Sequence, residues 1–251
     1  MAAALPRFWR ARVASCGGTV HEVDGLAVCL TGVPDPSFNP TLIEAAPADP
    51  DAALVAAAEP YRRVGLSIGV DLEPAVHAEV RAAADRAGFR RIESRPGMVL
   101  ATQRLRPERQ PAGVDIRRVD DASVLRRVAD ADAVAFDADA ALTGAFLPAA
   151  VLTDPAQRVF AAFVGDDVVG AGESSLADGV LGVFGIATLP SHRRRGIAAA
   201  LTSRLIEDRA AEADIAVLQS SKLGLGVYER LGFVTTSTWE VWAQPEPSSS
   251  G

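Results

Sequence analysis

Two short strings constrain this chain more than anything else in it. The first, Ile186-Ala187-Thr188-Leu189-Pro190-Ser191-His192-Arg193-Arg194-Arg195-Gly196-Ile197-Ala198, reads as a buried strand, a sharp basic turn and the opening of an alanine-rich helix. Such a turn leaves several backbone N–H groups unpaired at a helix start, where an anionic phosphate satisfies them. Gly196 lets a ligand approach the backbone closely, and Ala198 keeps the first helical turn uncluttered. The second string, Tyr228-Glu229-Arg230-Leu231-Gly232-Phe233, closes a helix on Gly232 and starts a strand at Phe233. It begins 35 residues after Arg193.

Together, and at that spacing, the two strings resemble the coenzyme A site of the GNAT superfamily of acyl-CoA N-acyltransferases. The resemblance covers residues 114–242. It implies an α/β fold with a mixed sheet and acetyl-CoA as acyl donor, with no metal. It also implies roles for residues. The pyrophosphate would sit on the N–H groups of Arg194, Arg195, Gly196, Ile197, Ala198 and Ala199, favoured by the helix dipole. The side chains of Arg193, Arg194 and Arg195 would add charge-assisted contacts to phosphate. The pantetheine arm would pair like an extra strand with the backbone of Ile186 and Thr188, while Ala187 faces the other way. The neighbouring strand, Ile215 to Leu218, would splay away to open the slot.

Tyr228 is the candidate general acid, giving a proton to the departing thiolate, help typically worth ~10²–10⁴-fold. The same ring also suits plain packing beside Val227 and Leu231. Glu173, on the strand before the motif hairpin, is the carboxylate best placed as general base; an exposed strand charge is the competing reading. His192 lies in the turn, nearer phosphate or solvent than substrate. Ser221 and Gly224 depart from an asparagine and an alanine common in the family, which sets aside the family's usual contacts at those two positions.

Along the chain, residues 103–113 are polar, proline-bearing and aperiodic, so the expected boundary divides a domain 1–110 from a catalytic domain 111–244, with 245–251 a disordered Pro/Ser tail. The C-terminal part reads as strand 114–119, helix 121–135, a helical segment 140–152 broken at Pro148, and strands 158–164, 168–174 and 180–189. A long helix over 194–213, strand 215–218, helix 223–231 and strand 233–242 complete the GNAT order. The N-terminal half contains a fainter echo. Asp85-Arg86-Ala87-Gly88-Phe89 and its following strand resemble the 229–233 string, preceded by a strand over 64–70 and a helix over 73–87. His21 to Val28 reads as a hairpin turned at Asp24-Gly25. The half therefore looks like a degenerate GNAT-type module. Two-domain chains of this kind occur in the superfamily, some with a stretch like Gly-Val-Pro-Asp-Pro-Ser-Phe-Asn at 32–39. It has no Arg-x-x-Gly-x-Ala turn, and Ala84 stands where the second half has Tyr228, so it is expected to cover or wall the catalytic half and not to bind coenzyme.

The formal charge is −7, from 32 acidic and 25 basic residues. That balance disfavours nucleic acid and mildly favours a cationic acceptor. Lys222 is the only lysine, and the arginine and alanine content suggests a high-GC bacterial source. No apolar run approaches the ~18–20 residues of a membrane span, and Pro6, Arg7, Arg10 and Arg12 interrupt any signal-peptide core, so a cytoplasmic location is expected. Cys16 and Cys29 lack a CxxC or a histidine set and read as free thiols. Gly224-Leu225-Gly226 lacks the third glycine of a dinucleotide turn, because Glu229 stands there; no Walker lysine, zinc spacing or Ser-His-Asp order is present. The reading is thus an N-acetyltransferase acting on a small-molecule or protein amine in a ternary complex, with a homodimer compatible. A non-catalytic acyl-CoA sensor, or the same fold with a longer acyl-CoA or aminoacyl-tRNA donor, stays open.

Overall fold

Asp49-Pro50 and Asp121-Ala122 show how this chain starts its helices. Asp49 Oδ1 accepts from the N–H of Asp51 and Ala52, each at 3.1 Å, and Asp121 Oδ1 accepts from Ser123 and Val124 at 2.8 and 3.1 Å. Each carboxylate satisfies two of the four N–H groups a helix start leaves unpaired. The computed structural model describes residues 4–245; residues 246–251 of the expected tail lie outside the described residues. The elements are α1 (Leu5–Ser15), β1 (Thr19–Val23), β2 (Leu26–Leu30), β3 (Pro40–Ile43), α2 (Pro50–Arg63), β4 (Gly69–Leu72), α3 (Ala78–Arg86), β5 (Arg90–Ala101), β6 (Asp115–Arg118), α4 (Ala122–Phe136), α5 (Ala140–Phe146), β7 (Gln157–Val164), β8 (Asp167–Ala177), β9 (Val180–Thr188), α6 (Ile197–Asp208), β10 (Ile215–Gln219), α7 (Leu225–Leu231) and β11 (Val234–Ala243).

Packing divides the chain into two units, one of Gly97–Thr236 and one of the remaining described residues, up to Pro96 and from Ser237. The division falls ahead of the expected 110/111 boundary, and the 103–113 stretch explains why. Thr102 Oγ1 donates to Ala213 O at 2.6 Å, Arg106 N–H to Leu231 O at 2.9 Å, and Glu108 N–H to Ser203 Oγ at 2.9 Å. A segment so bonded belongs to the unit it lies on, whatever its composition.

In the Gly97–Thr236 unit the mixed sheet runs β5-β10-β9-β8-β7-β6, antiparallel except for the β10–β9 pair. Helix α6 packs on one face through Ile197, Leu201 and Leu205, all at most 1% exposed, the four-residue stripe legible in the sequence. Two glycines of β8 make room for it: a Cβ on Gly170 would lie 3.1 Å from Ile197 Cγ2, and one on Gly172 would lie 3.0 Å from Leu205 Cδ1. The other face carries α4, with Leu125 and Val128 against Val159 and Phe163. Helix α6 is shorter than the expected 194–213. Arg194 (φ 63°) and Gly196 (φ 81°) are left-handed and hold the start back to Ile197. At its far end Arg209 is buried and donates to Glu212 and to Pro155 O, which draws the chain out of the helix.

The second unit has a mixed sheet of order β1-β2-β3-β4-β11. Its hairpin turns at Asp24-Gly25 as expected, with Val23 paired to Leu26. Helices α2 and α3 cover one face through Leu54, Tyr61 and Val80. The strand expected over 64–70 starts only at Gly69, because α2 runs to Arg63 and Val64 caps it. Helix α3 likewise starts at Ala78, not at Glu73. Two strands change allegiance relative to the sequence reading. Gly97–Ala101 of β5 pairs with β10, while Glu240–Ala243 of β11 pairs with β4.

Candidate active site

The site grows from one parallel strand pair that parts. β10 pairs with β9 at Val180, Leu181 and Gly182 and goes no further. On its other side β9 stays bonded to β8 as far as Thr188, and Leu189 N–H donates to Val169 O. Since backbone groups alternate sides along a strand, Ile186 and Thr188 turn theirs to the side β10 has left, and Ala187 turns back toward β8. This is the arrangement expected of the splayed slot.

A bulge reshapes that edge. Ala171 pairs with Ala187 and Glu173 with Phe184, so Gly185 and Ile186 together face Gly172 alone. Gly185 takes φ 55°, which explains the residue type, and the missing Cβ serves a second purpose. An atom there would lie 3.1 Å from Glu173 Oε1. Glu173, half-buried on β8, therefore lays its carboxylate over the bulge.

Beyond β9, Pro190–His192 forms one 3₁₀ turn and the chain reaches Gly196, the N-cap of α6. Gly196 has no side chain to cap the helix, and the first bond of helical type is Ala200 N–H to Gly196 O at 3.0 Å. The N–H groups of Ile197, Ala198 and Ala199 point out of the helix start. The three arginines divide their work. Arg193 donates from Nε to Thr188 O at 3.2 Å and from Nη2 to Ala135 O at 2.8 Å, which ties the turn to the strand end and to α4. Arg195 donates to Ser191 O at 3.2 Å, and Arg194 is exposed. His192 Nδ1 and Ser191 Oγ lie 2.9 Å apart within the turn.

Tyr228 on α7 is 8% exposed and sits edge-on to Phe233, ring centres 5.9 Å apart. Burial pushes its phenol up to about 12, so it holds its proton throughout the physiological range. The ring lies on Gly224: a Cβ there would be 2.9 Å from Tyr228 Cε2. The departure from alanine at 224 thus has a steric reason. The expected start of this helix at Leu223 moves to Leu225, because Ser221 closes a turn by accepting from Gly224 N–H at 3.1 Å. Gly185 is the site residue that sequence reasoning missed. The Gly-Ile break in an otherwise apolar strand was its only signal.

The second unit supplies a contrast. Its own parallel pair, β3 and β4, leads through Glu44-Ala45-Ala46-Pro47-Ala48-Asp49 into α2. That turn is acidic where the other is basic, and the Asp49 carboxylate already occupies the N–H groups a phosphate would need. A cavity of about 520 Å³ adjoins it, bordered by Ile43, Pro47, His77 and Val80 with Glu44 and Glu79. Among the described residues no group of three or more His, Cys, Asp or Glu is arranged to hold a metal ion, and no helix is long and apolar enough to cross a membrane.

Comparisons with known proteins agree with this fold. Among solved structures, the chain is similar to a GCN5-related N-acetyltransferase from Kribbella flavida at 21% identity over 99% of this chain and 97% of that one, with a TM-score of 0.73. It is similar to a GCN5-related N-acetyltransferase from Sphaerobacter thermophilus at 16% identity over 71% and 59%, with a TM-score of 0.57. A tandem GNAT protein from the clavulanic acid biosynthesis pathway matches at 15% identity over 79% and 70%, with a TM-score of 0.59. At these identities the likeness carries the fold, mixed α/β as expected. No curated protein matches the chain. The model of the acetyltransferase (GNAT) family matches residues 126–233, which span the parted strands, the basic turn and Tyr228, and that stretch of the chain is a GNAT acetyltransferase domain.

Proposed function

We propose that the Gly97–Thr236 unit transfers an acetyl group from acetyl-CoA to an amine by direct attack in a ternary complex. The observation that carries this reading is the coincidence, within one unit, of an uncapped helix start, an open strand edge and a half-buried carboxylate over a bulge in that edge. The helix start with exposed Arg194 suits pyrophosphate, favoured by ~0.3–1 kcal/mol from the dipole at an exposed end. Ile186 and Thr188 suit the amide groups of a pantetheine arm. Arg193 positions the turn through its two carbonyl bonds.

In this reading Glu173 takes a proton from the attacking ammonium, directly or through water. The amine forms a bond to the thioester carbon, the C–S bond breaks, the sulfur leaves with the electron pair, and the nitrogen gives up its second proton to water, from which the tyrosine is reprotonated. Tyr228, kept neutral by burial, supplies the proton to that sulfur. The family match supports acyl-CoA chemistry in general; the acetyl group, the amine acceptor and a cytoplasmic location belong to the proposal. Calorimetric titration with acetyl-CoA, followed by release of coenzyme A across an amine panel, tests it. Binding without turnover on any amine would favour the sensor reading instead.

A further inference from the structure

Lys222 is the only lysine of the chain, every other basic side chain in Lys+Arg being arginine. Arginine keeps its proton at any physiological pH, so Lys222 is the one side chain able to present a primary amine as a nucleophile. It is exposed, in the loop from the end of β10 at Gln219 to the start of α7 at Leu225.

Its neighbours fix where that loop sits. Ser220 is 1% exposed and its hydroxyl donates to Ser221 O at 2.7 Å. Ser221 Oγ accepts from Gly224 N–H, and Ser221 O accepts from Gly224 and Leu225 N–H at 3.1 and 3.2 Å. The Cβ position of Gly224 lies 2.9 Å from Tyr228 Cε2 and 3.5 Å from Ser221 Oγ. The tyrosine ring edge and the residue next to Lys222 therefore meet over one glycine. The strand feeding the loop is β10, whose parting from β9 opens the slot. A lysine stem spans roughly 6 Å, at ~1.5 Å per carbon–carbon bond, and here it rises from the loop that continues β10 past its parting from β9.

We propose that Lys222 is an internal acyl acceptor: the chain acylates its own Nζ from acyl-CoA bound in its slot. This rests on the acyltransferase reading above. The neutral amine attacks the thioester carbonyl carbon and forms a C–N bond. The C–S bond breaks, sulfur leaves with the electron pair and takes a proton, and the nitrogen loses one to Glu173 or water. The products are an Nε-acyl-Lys222 amide and coenzyme A, with no oxidant or reductant required.

The test is full-length protein with acetyl-CoA and no added amine, followed by trypsin digestion and mass spectrometry. Acetylation blocks cleavage at Lys222, so the modified peptide runs from Ala210 to Arg230. One acetyl group is expected there, appearing at a rate per chain independent of protein concentration and faster at higher pH. Excess coenzyme A should suppress it, and Lys222→Arg should bind acetyl-CoA yet stay unmodified. Wild type that binds acetyl-CoA by calorimetry but stays unmodified at Lys222 overturns the proposal and leaves the acyltransferase reading intact; failure to bind removes both. Labelling that coenzyme A does not suppress, or that equals that of urea-unfolded chain, is chemical acetylation and also overturns it. So does a rate per chain that scales with concentration.

Discussion

The Glu173 carboxylate lies across Gly185, close enough that a Cβ on the glycine would come within 3.1 Å of Oε1. Glycine at 185 thus answers two demands together, the left-handed φ of the bulge and the room the carboxylate needs. Gly185→Ala should strain the backbone by ~1–2 kcal/mol and push Glu173 aside. Glu173→Gln should keep the fold and lower kcat by ~10²-fold, most strongly with amines that are protonated at the assay pH. Unchanged kcat for Glu173→Gln across the pH range, with a confirmed acceptor, would make Glu173 a strand charge and nothing more.

Gly196→Glu should abolish acetyl-CoA binding. It puts a bulky anion at the uncapped helix start and also carries a left-handed φ cost of ~1–2 kcal/mol. Far-UV circular dichroism establishes that the variant is folded, and calorimetry then reads the affinity. An unaltered affinity in a folded variant would remove the phosphate assignment.

Titration of the whole chain should saturate at one acetyl-CoA. The second unit's helix start is already capped by Asp49, and its turn is acidic. A stoichiometry of two is the contrary result.

Tyr228→Phe removes one oxygen and leaves the ring on Gly224 and edge-on to Phe233. Stability and coenzyme affinity should hardly move, while kcat and kcat/KM fall together by about 10²-fold, because the proton is given only in the transition state. With the phenol held at about 12, wild-type activity should show no decline from tyrosine ionisation up to ~pH 10. Equal turnover by the two proteins would leave the ring a packing residue.

Asp71 on β4 offers a stability test in the second unit. Burial raises its carboxyl to about 6, with Arg95 pulling the other way and Glu93 adding to the rise. The folded value lies above that of an unfolded chain, so the penalty is absent below ~pH 4 and grows as pH rises toward 6. It is constant at higher pH. Asp71→Asn should therefore raise the midpoint of denaturation at pH 7, by roughly 1–3 kcal/mol in stability, and flatten its change between pH 4 and 6. A variant less stable than wild type at pH 7 would contradict this.

Much of the site was legible because its parts are local. The strand-turn-helix at 186–198 and the helix-glycine-strand at 228–233 follow from short-range rules of capping, left-handed glycine and apolar periodicity, which neighbours in sequence satisfy among themselves. The hairpin at Asp24-Gly25 and the stripe Ile197, Leu201, Leu205 are of the same kind. Helix α2 was missed although Asp49-Pro50 signals its start, because Pro60 inside it obscures the pattern. What the chain alone decided was therefore most of the elements and the basic strand-turn-helix at 186–198. Tertiary structure alone decided that Gly97–Ala101 pairs with β10 and Glu240–Ala243 with β4, that Gly185 bulges beneath Glu173, and that β10 leaves β9 after Gly182. The physical reason is that alternation along a strand records which face is buried, while the partner at each edge is chosen by backbone hydrogen bonds that carry no residue identity.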